Sequence, residues 1–475
     1  MSAFDTVIRG ATVATAADTF RADIGISDGR VAALGLDLDG AEVIDAAGLL
    51  ALPGGIDSHV HVSQPSGPGI EMADDFDSAT RAAAFGGNTT IMPFCLQARG
   101  QTLREALTWY HGLAEGRAHV DVSFHLIIAD PTAQVLGQEL PALAADGYTS
   151  AKVFMTYPGL RLADRDILEV FAAARAAGML TLIHAENDDA IEWLRDRADA
   201  AGETAPVMHA RTRPIPVERE ATHRAISLAE IADVPLMVVH VSNREAMEEI
   251  RRARLRGRPV LSETCPQYLV LTADDLDTAG FDGAKQVCSP PPRDSESQAA
   301  CWEGLEQGVF DVFSSDHCPF RYEDPAGKQH PDGLRSFRYI PNGIPGVETR
   351  LPILFSEGVV KGRIPLERFV ALTATNHARI YGLYPRKGTI AVGSDADIVL
   401  WDPERRETIA QAGLHHGADY TPYEGLEVTG WPVMTMLRGR VVCRGGTMLA
   451  ERTGTYLRRA RPPACGPSSG PSGGT

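Results

Sequence analysis

Residues 55–61 read Gly55-Ile56-Asp57-Ser58-His59-Val60-His61, a short run that ends in two histidines one residue apart. A run of that length opened by glycine fits a buried strand. Side chains two apart on a strand share a face, so both imidazoles reach toward one point. Seven further apolar runs follow, at 89–92, 122–128, 151–155, 180–184, 236–240, 260–263 and 309–314. Between them lie longer Ala- and Arg-rich stretches with apolar residues every three or four positions, such as 165–177 and 218–232, which read as helices. Eight strands alternating with helices predict an α/β fold, a (β/α)8 TIM barrel.

A barrel brings all its strand C-termini to one mouth. His184 and His240 close the fifth and sixth of these runs, and Asp316 follows the eighth. One histidine after an apolar strand is ordinarily a core residue. Five candidate ligands at the same end of four strands (His59, His61, His184, His240 and Asp316) point instead to a metal centre of nitrogen and oxygen donors, which suits Zn²⁺. Lys152 stands inside the 151–155 strand, in a chain with only five lysines among 45 basic residues. It could snorkel to the rim or pair with an acid. A buried lysine can also lose its proton, add carbon dioxide and become a carbamate whose two oxygens bridge two metal ions.

The flanks have a different pattern. Residues 6–9, 22–26, 30–34 and 42–45 read as short strands with turn pairs Asp28-Gly29 and Asp39-Gly40 between them, and 397–401, 433–437 and 440–442 resemble them. These ends predict a small β-sandwich domain built from residues 1–51 and 387–455, bracketing a barrel at 52–386. The Pro-, Gly- and Ser-rich end, 456–475, reads as a flexible tail.

Composition excludes several classes. The 475 residues are 44% hydrophobic, too apolar for a disordered chain. A net charge of −17 argues against nucleic-acid binding. No apolar run approaches the roughly 20 residues of a membrane span. The start has neither a basic nor an apolar leader segment, and the seven cysteines lack any C-x-x-C pair; a cytoplasmic location with reduced thiols is expected.

Together these segments resemble the cyclic amidohydrolases, and within them the D-hydantoinase/dihydropyrimidinase family. The resemblance runs from about residue 3 to 455. It is carried by Pro53-Gly54-Gly55-Ile56-Asp57-Ser58-His59-Val60-His61, Lys152-Val153-Phe154-Met155-Thr156-Tyr157, His184-Ala185-Glu186-Asn187, Val239-His240-Val241-Ser242 and Glu263-Thr264-Cys265-Pro266-Gln267-Tyr268. Cys288-Ser289-Pro290-Pro291, Ser315-Asp316-His317-Cys318-Pro319-Phe320, Ile340-Pro341-Asn342-Gly343 and Gly393-Ser394-Asp395-Ala396-Asp397 complete it. It implies a carboxylated Lys152 bridging two zinc ions, one held by His59, His61 and Asp316, the other by His184 and His240. It also implies hydrolytic opening of hydantoins to N-carbamoyl amino acids, or of dihydropyrimidines to N-carbamoyl β-amino acids. A metal-bridging hydroxide would attack, with Asp316 as general acid/base, Tyr157 donating to the oxyanion, and the backbone at Ser289 and Asn342 gripping the cyclic amide. A homotetramer is the oligomer the resemblance implies.

After His61 the chain reads Val62-Ser63-Gln64-Pro65. Dihydroorotases place an arginine at the position of Ser63, and allantoinases usually an asparagine. Dihydroorotate is therefore disfavoured, and an allantoinase-like hydrolase stays open. Two other readings remain: a one-metal deaminase, which lacks its glutamate because Asn243 stands three residues after His240, and a non-catalytic relative, which the six intact ligand positions disfavour. The loops at 64–71 and 158–160 differ from many relatives and leave ring and enantiomer undecided.

Overall fold

A computed structural model describes residues 3–466. Eighteen strands form two sheets among these residues. The first sheet takes β1 (Phe4–Ala14), β2 (Thr19–Ser27), β3 (Arg30–Gly35), β4 (Gly40–Asp45) and β5 (Leu50–Pro53) from the front of the chain. The barrel strands follow: β6 (Gly55–Val60), β7 (Asn88–Leu96), β8 (Asp121–Val122), β9 (His125–Ile127), β10 (Ser150–Phe154), β11 (Leu180–His184), β12 (Leu236–Val238), β13 (Val260–Thr264) and β14 (Val312–Phe313). From the far end, β15 (Ile398–Thr408), β16 (Glu427–Leu437), β17 (Arg440–Arg444) and β18 (Thr447–Met448) return to the first sheet, where β15 pairs antiparallel with β5.

The second sheet runs β14-β13-β12-β11-β10-β9-β7-β6 and is parallel throughout. Helices between its strands make that possible, because a parallel neighbour needs a crossover. The helix Asp164–Ala177 buries Ile167, Val170, Phe171 and Ala174, and Gly178 ends it at φ +69°, where its N–H reaches Ala174 O. The His61 N–H donates to His317 O at 2.6 Å, which draws the end of β6 against the segment after β14 and nearly closes the barrel. Ile56, Met92, Phe94, Ile127, Leu180, Leu182, Met237 and Val312 fill the interior. Ile8, Val13, Ile24, Ile398, Leu400 and Met436 form a separate core for the first sheet.

Two expectations need correction. The run 122–128 is not one strand. It divides into β8 and β9, both paired with β7, and at the break Ser123 Oγ donates to Leu457 O at 2.9 Å. The same contact shows why the tail cannot be flexible from 456. The Leu457 N–H donates to Val122 O at 2.7 Å, Leu457 is buried, and Arg459 Nη1 donates to Ser150 Oγ at 2.9 Å. Apolar and planar cationic side chains in a Pro-rich setting still dock where they can bury surface. Residues 467–475 of the expected tail lie outside the described residues.

A buried ion cluster joins the two sheets. Lys387 Nζ contacts Asp121 at 2.8 Å, Asp395 at 3.0 Å and Asp397 at 2.6 Å, and Arg438 also bonds Asp121. Removing the ammonium would leave buried Asp397 without a cation, and Asp121 and Asp395 with only Arg438 and Arg386 respectively. Lys387→Met is therefore expected to lower unfolding free energy by about 3–5 kcal/mol. Urea denaturation checks this; a loss below about 1 kcal/mol would be incompatible with the cluster holding the sheets together.

Candidate active site

Each candidate residue reaches the mouth by a local device. On β10, Ala151 and Val153 pack outward against helices, so alternation turns Lys152 and Phe154 inward. On β6 the register with β7 shifts between Asp57 and Val60. Ile56 lies inside the barrel and Val60 outside, so the irregularity re-aims the strand end and lets His59 face the mouth. Met237 and Val239 point inward, and strict alternation would send His240 outward. The chain leaves β12 at Val238, and His240 adopts φ +41°, with its ring back beside His184.

The donors converge. His59 Nε2 lies 3.1 Å and His61 Nε2 3.5 Å from Asp316 Oδ1, and one ligand atom from each residue falls within 4.8 Å of the others. His240 Nε2 is 2.8 Å from His184 Nδ1. The rings of His59 and His240 are 5.4 Å apart, so the two groups adjoin. Lys152 is 1% exposed, with its Nζ 5.1 Å from the ring centroids of both Phe94 and Phe154. Burial pulls its pKa down to about 8, against the opposing pull of Glu263 and Asp316. That leaves a share of neutral amine able to react near neutral pH.

Burial also holds His59, His184 and His240 below the ordinary histidine range, so these rings are neutral with a lone pair to offer. Burial opposes ionisation of Asp316, but the neighbouring His59 and His61 keep it below the usual carboxylate range. Behind the ligands, Glu263 Oε1 takes His59 Nδ1 at 2.6 Å and the His240 N–H at 3.2 Å, while Ser314 Oγ donates to its other oxygen at 2.7 Å. Gln64 Oε1 is 2.7 Å from His61 Nδ1, and Glu186 Oε2 is 2.8 Å from His184 Nε2 and from Arg213 Nη1. Fixing one ring nitrogen turns the other inward. The set fits a pair of borderline cations. It is nitrogen and oxygen only, two neutral nitrogens face each other across 2.8 Å, and the buried His240 Nδ1 has no protein partner.

Tyr157 sits three residues past β10 at φ +79°, its ring 5.2 Å from that of His184 and 5.7 Å from the Arg213 guanidinium. Burial pushes its phenol up to about 12, so it stays a donor at neutral pH; Arg213 and the nearby Ser289 and Asn342 side chains offset part of that rise. Tyr157, His240 and Asp316 all hold left-handed backbone, a strain of about 1–3 kcal/mol each that concentrates where side chains must be aimed. His59, His61, Lys152, Tyr157, His184, His240, Ser289, Asp316 and Asn342 all line one cavity of about 830 Å³.

Several residues near the site carry more than their sequence suggested. Asp57 Oδ1 accepts from the backbones of His59 and Ser315, each at 3.2 Å, and its other oxygen lies 3.5 Å from buried Arg350, so it anchors both ligand segments. Asp57, Glu186 and Glu263 could have been marked as buried carboxylates beside candidate ligands, since such groups require partners. His330 also lines the cavity. Asn243, where a deaminase needs its glutamate, caps the helix Arg244–Leu255 by accepting the Ala246 N–H.

An eight-strand parallel barrel with histidine and aspartate donors at its C-terminal mouth defines a metal-dependent hydrolase scaffold. The family model described as "Amidohydrolase family" matches residues 50–442. A D-hydantoinase from Ralstonia pickettii is 47% identical over 461 residues, covering 96% of this chain and 99% of that protein. Among solved structures, a D-hydantoinase superposes with a TM-score of 0.94 at 46% identity, over 96% of this chain and 99% of the other. The dihydropyrimidinase of Brevibacillus agri NCHU1002 gives 0.93 at 44%, with the same shares covered. The chain belongs to the amidohydrolase family, in its D-hydantoinase/dihydropyrimidinase branch, whose members are hydrolases of cyclic amides. Membership implies a binuclear metal centre, in keeping with the donors described.

Proposed function

We propose that this protein opens the ring of 5-substituted hydantoins, with preference for the D enantiomer, to N-carbamoyl amino acids, and of dihydropyrimidines to N-carbamoyl β-amino acids. The observation that carries this reading is the convergence of nine separately placed residues on one cavity. His59, His61 and Asp316 would hold one zinc ion, His184 and His240 a second, with Lys152, carboxylated, between them. Two such ions, when bound, polarise a carbonyl and make hydroxide available at neutral pH.

The protein's own groups do the rest. Asp316, whose carboxyl lies beside His59 and His61, accepts a proton and returns it to the departing ring nitrogen. The Tyr157 hydroxyl donates to the oxygen that gains charge when the ring carbonyl becomes tetrahedral. Ser289 and Asn342, which flank that hydroxyl, hold the cyclic amide. Pro65, Ile70, Leu96, Phe154 and Leu160 give the cavity an apolar wall for the substituent at ring carbon 5. The D preference draws on the relatives' printed names. No helix among the described residues is long and apolar enough to cross a membrane. A cytoplasmic homotetramer belongs to the same proposal, and sedimentation velocity checks its size.

The test is a ring-opening assay with metal-replete protein on dihydrouracil and both enantiomers of an alkyl and a phenyl hydantoin. Faster opening of the D-hydantoins is expected. Inactivity on every ring, with both ions bound, would overturn the reading.

A further inference from the structure

Lys328 is fully buried, yet among the described residues no carboxylate pairs with it. Burying an amine without an acid is costly, so its partners matter. Its Nζ donates to Val287 O at 2.8 Å and to Pro341 O at 2.6 Å. Val287 lies two residues before Ser289, and Pro341 directly precedes Asn342. The lysine thus ties together the two backbone segments that flank the Tyr157 hydroxyl. Burial pulls its pKa down to about 7, and even the neutral amine keeps two N–H groups, enough for both bonds.

The surroundings hold this arrangement rigid. Val287 O also accepts the Gly343 N–H at 3.0 Å, so its carbonyl serves both the lysine and the opposite segment. A side chain at Gly343 would strike Cys318 O at 2.3 Å, so the 341–343 segment packs without slack. The Lys328 N–H donates to Arg321 O at 2.7 Å across a turn where any side chain at Gly327 would come within 2.0 Å of that oxygen. Lys328 does not line the cavity, so it acts on the ring only through the segments it joins.

We propose that Lys328 is a positioning residue for substrate binding. By bridging Val287 O and Pro341 O it fixes the separation of the Ser289 and Asn342 segments, and thereby the grip on the cyclic amide rather than the hydrolytic step. The inference rests on the reading that those two segments hold the ring.

The test compares wild-type holoenzyme with Lys328→Met, an unbranched apolar side chain one atom shorter and without a donor, and Lys328→Gln, equally short but with two N–H groups. Metal content, melting temperature, kcat and KM are measured with 5-phenylhydantoin and dihydrouracil. Lys328→Met is expected to raise KM about tenfold to a hundredfold, with kcat within about threefold of wild type and two ions bound. Lys328→Gln should fall between. Wild-type KM in both folded variants, or an equal loss carried entirely by kcat, would overturn the proposal while leaving ring hydrolysis intact. Failure of both variants to fold would assign Lys328 to stability alone and overturn it too. Wild-type inactivity on both rings would instead remove the functional reading beneath it.

Discussion

Lys152→Ala is expected to release most of the bound metal and to abolish ring opening with it. The reasoning starts from position: alternation on β10 turns this lysine into the barrel, where it lies between the His59 and His184 groups rather than at a solvent rim. As a carbamate it would supply an oxygen to each ion. Losing a mere partner behind a ligand costs roughly 10–100-fold in metal affinity, and losing a bridging ligand should cost more. Metal analysis after gel filtration checks the first half, and turnover of 5-phenylhydantoin the second. Acetate or propionate in the buffer should restore part of both, because a small carboxylate can fill the space the carbamate leaves. Normal metal content in Lys152→Ala would be incompatible with a bridging role.

Tyr157→Phe is expected to lower kcat by about 10²–10³-fold with little change in KM or bound metal. Tyr157 is half-buried, its hydroxyl beside Ser289 and Asn342, and its pKa is raised to about 12. It therefore stays protonated across the whole working range, and no alkaline limb of the pH profile below pH 10 should belong to it. A donor held in place before charge develops needs no reorganisation at the moment it is used, which is why one hydrogen bond is worth so much here. A loss under tenfold would leave carbonyl polarisation entirely to the metal ions.

Much of this site was legible because a barrel converts sequence position into spatial position. His59, His184 and Asp316 could be gathered from separate strands with no contact information, and Lys152 stood out in a chain that prefers arginine. His240 is a different case. The alternation of Met237 and Val239 would turn it away from the mouth, and only a left-handed backbone returns it. Asp57 and Glu263 were harder still, since their value lies in what they touch. Glu263 on β13 meets His59 from β6 and the backbone of His240, a three-way contact that strand patterning does not encode. The tail beyond 455 misled for a related reason. Proline and glycine mark 456–475 as loose, whereas Leu457 and Arg459 dock its start against the barrel.

The central claim, two ions clasped by a modified lysine, is tested most directly by anomalous diffraction from crystals grown with zinc and bicarbonate. Two metal peaks are expected, one beside His59, His61 and Asp316 and one beside His184 and His240, with forked electron density continuing past Lys152 Nζ to both. A single peak, with density ending at an unmodified Nζ, would contradict it.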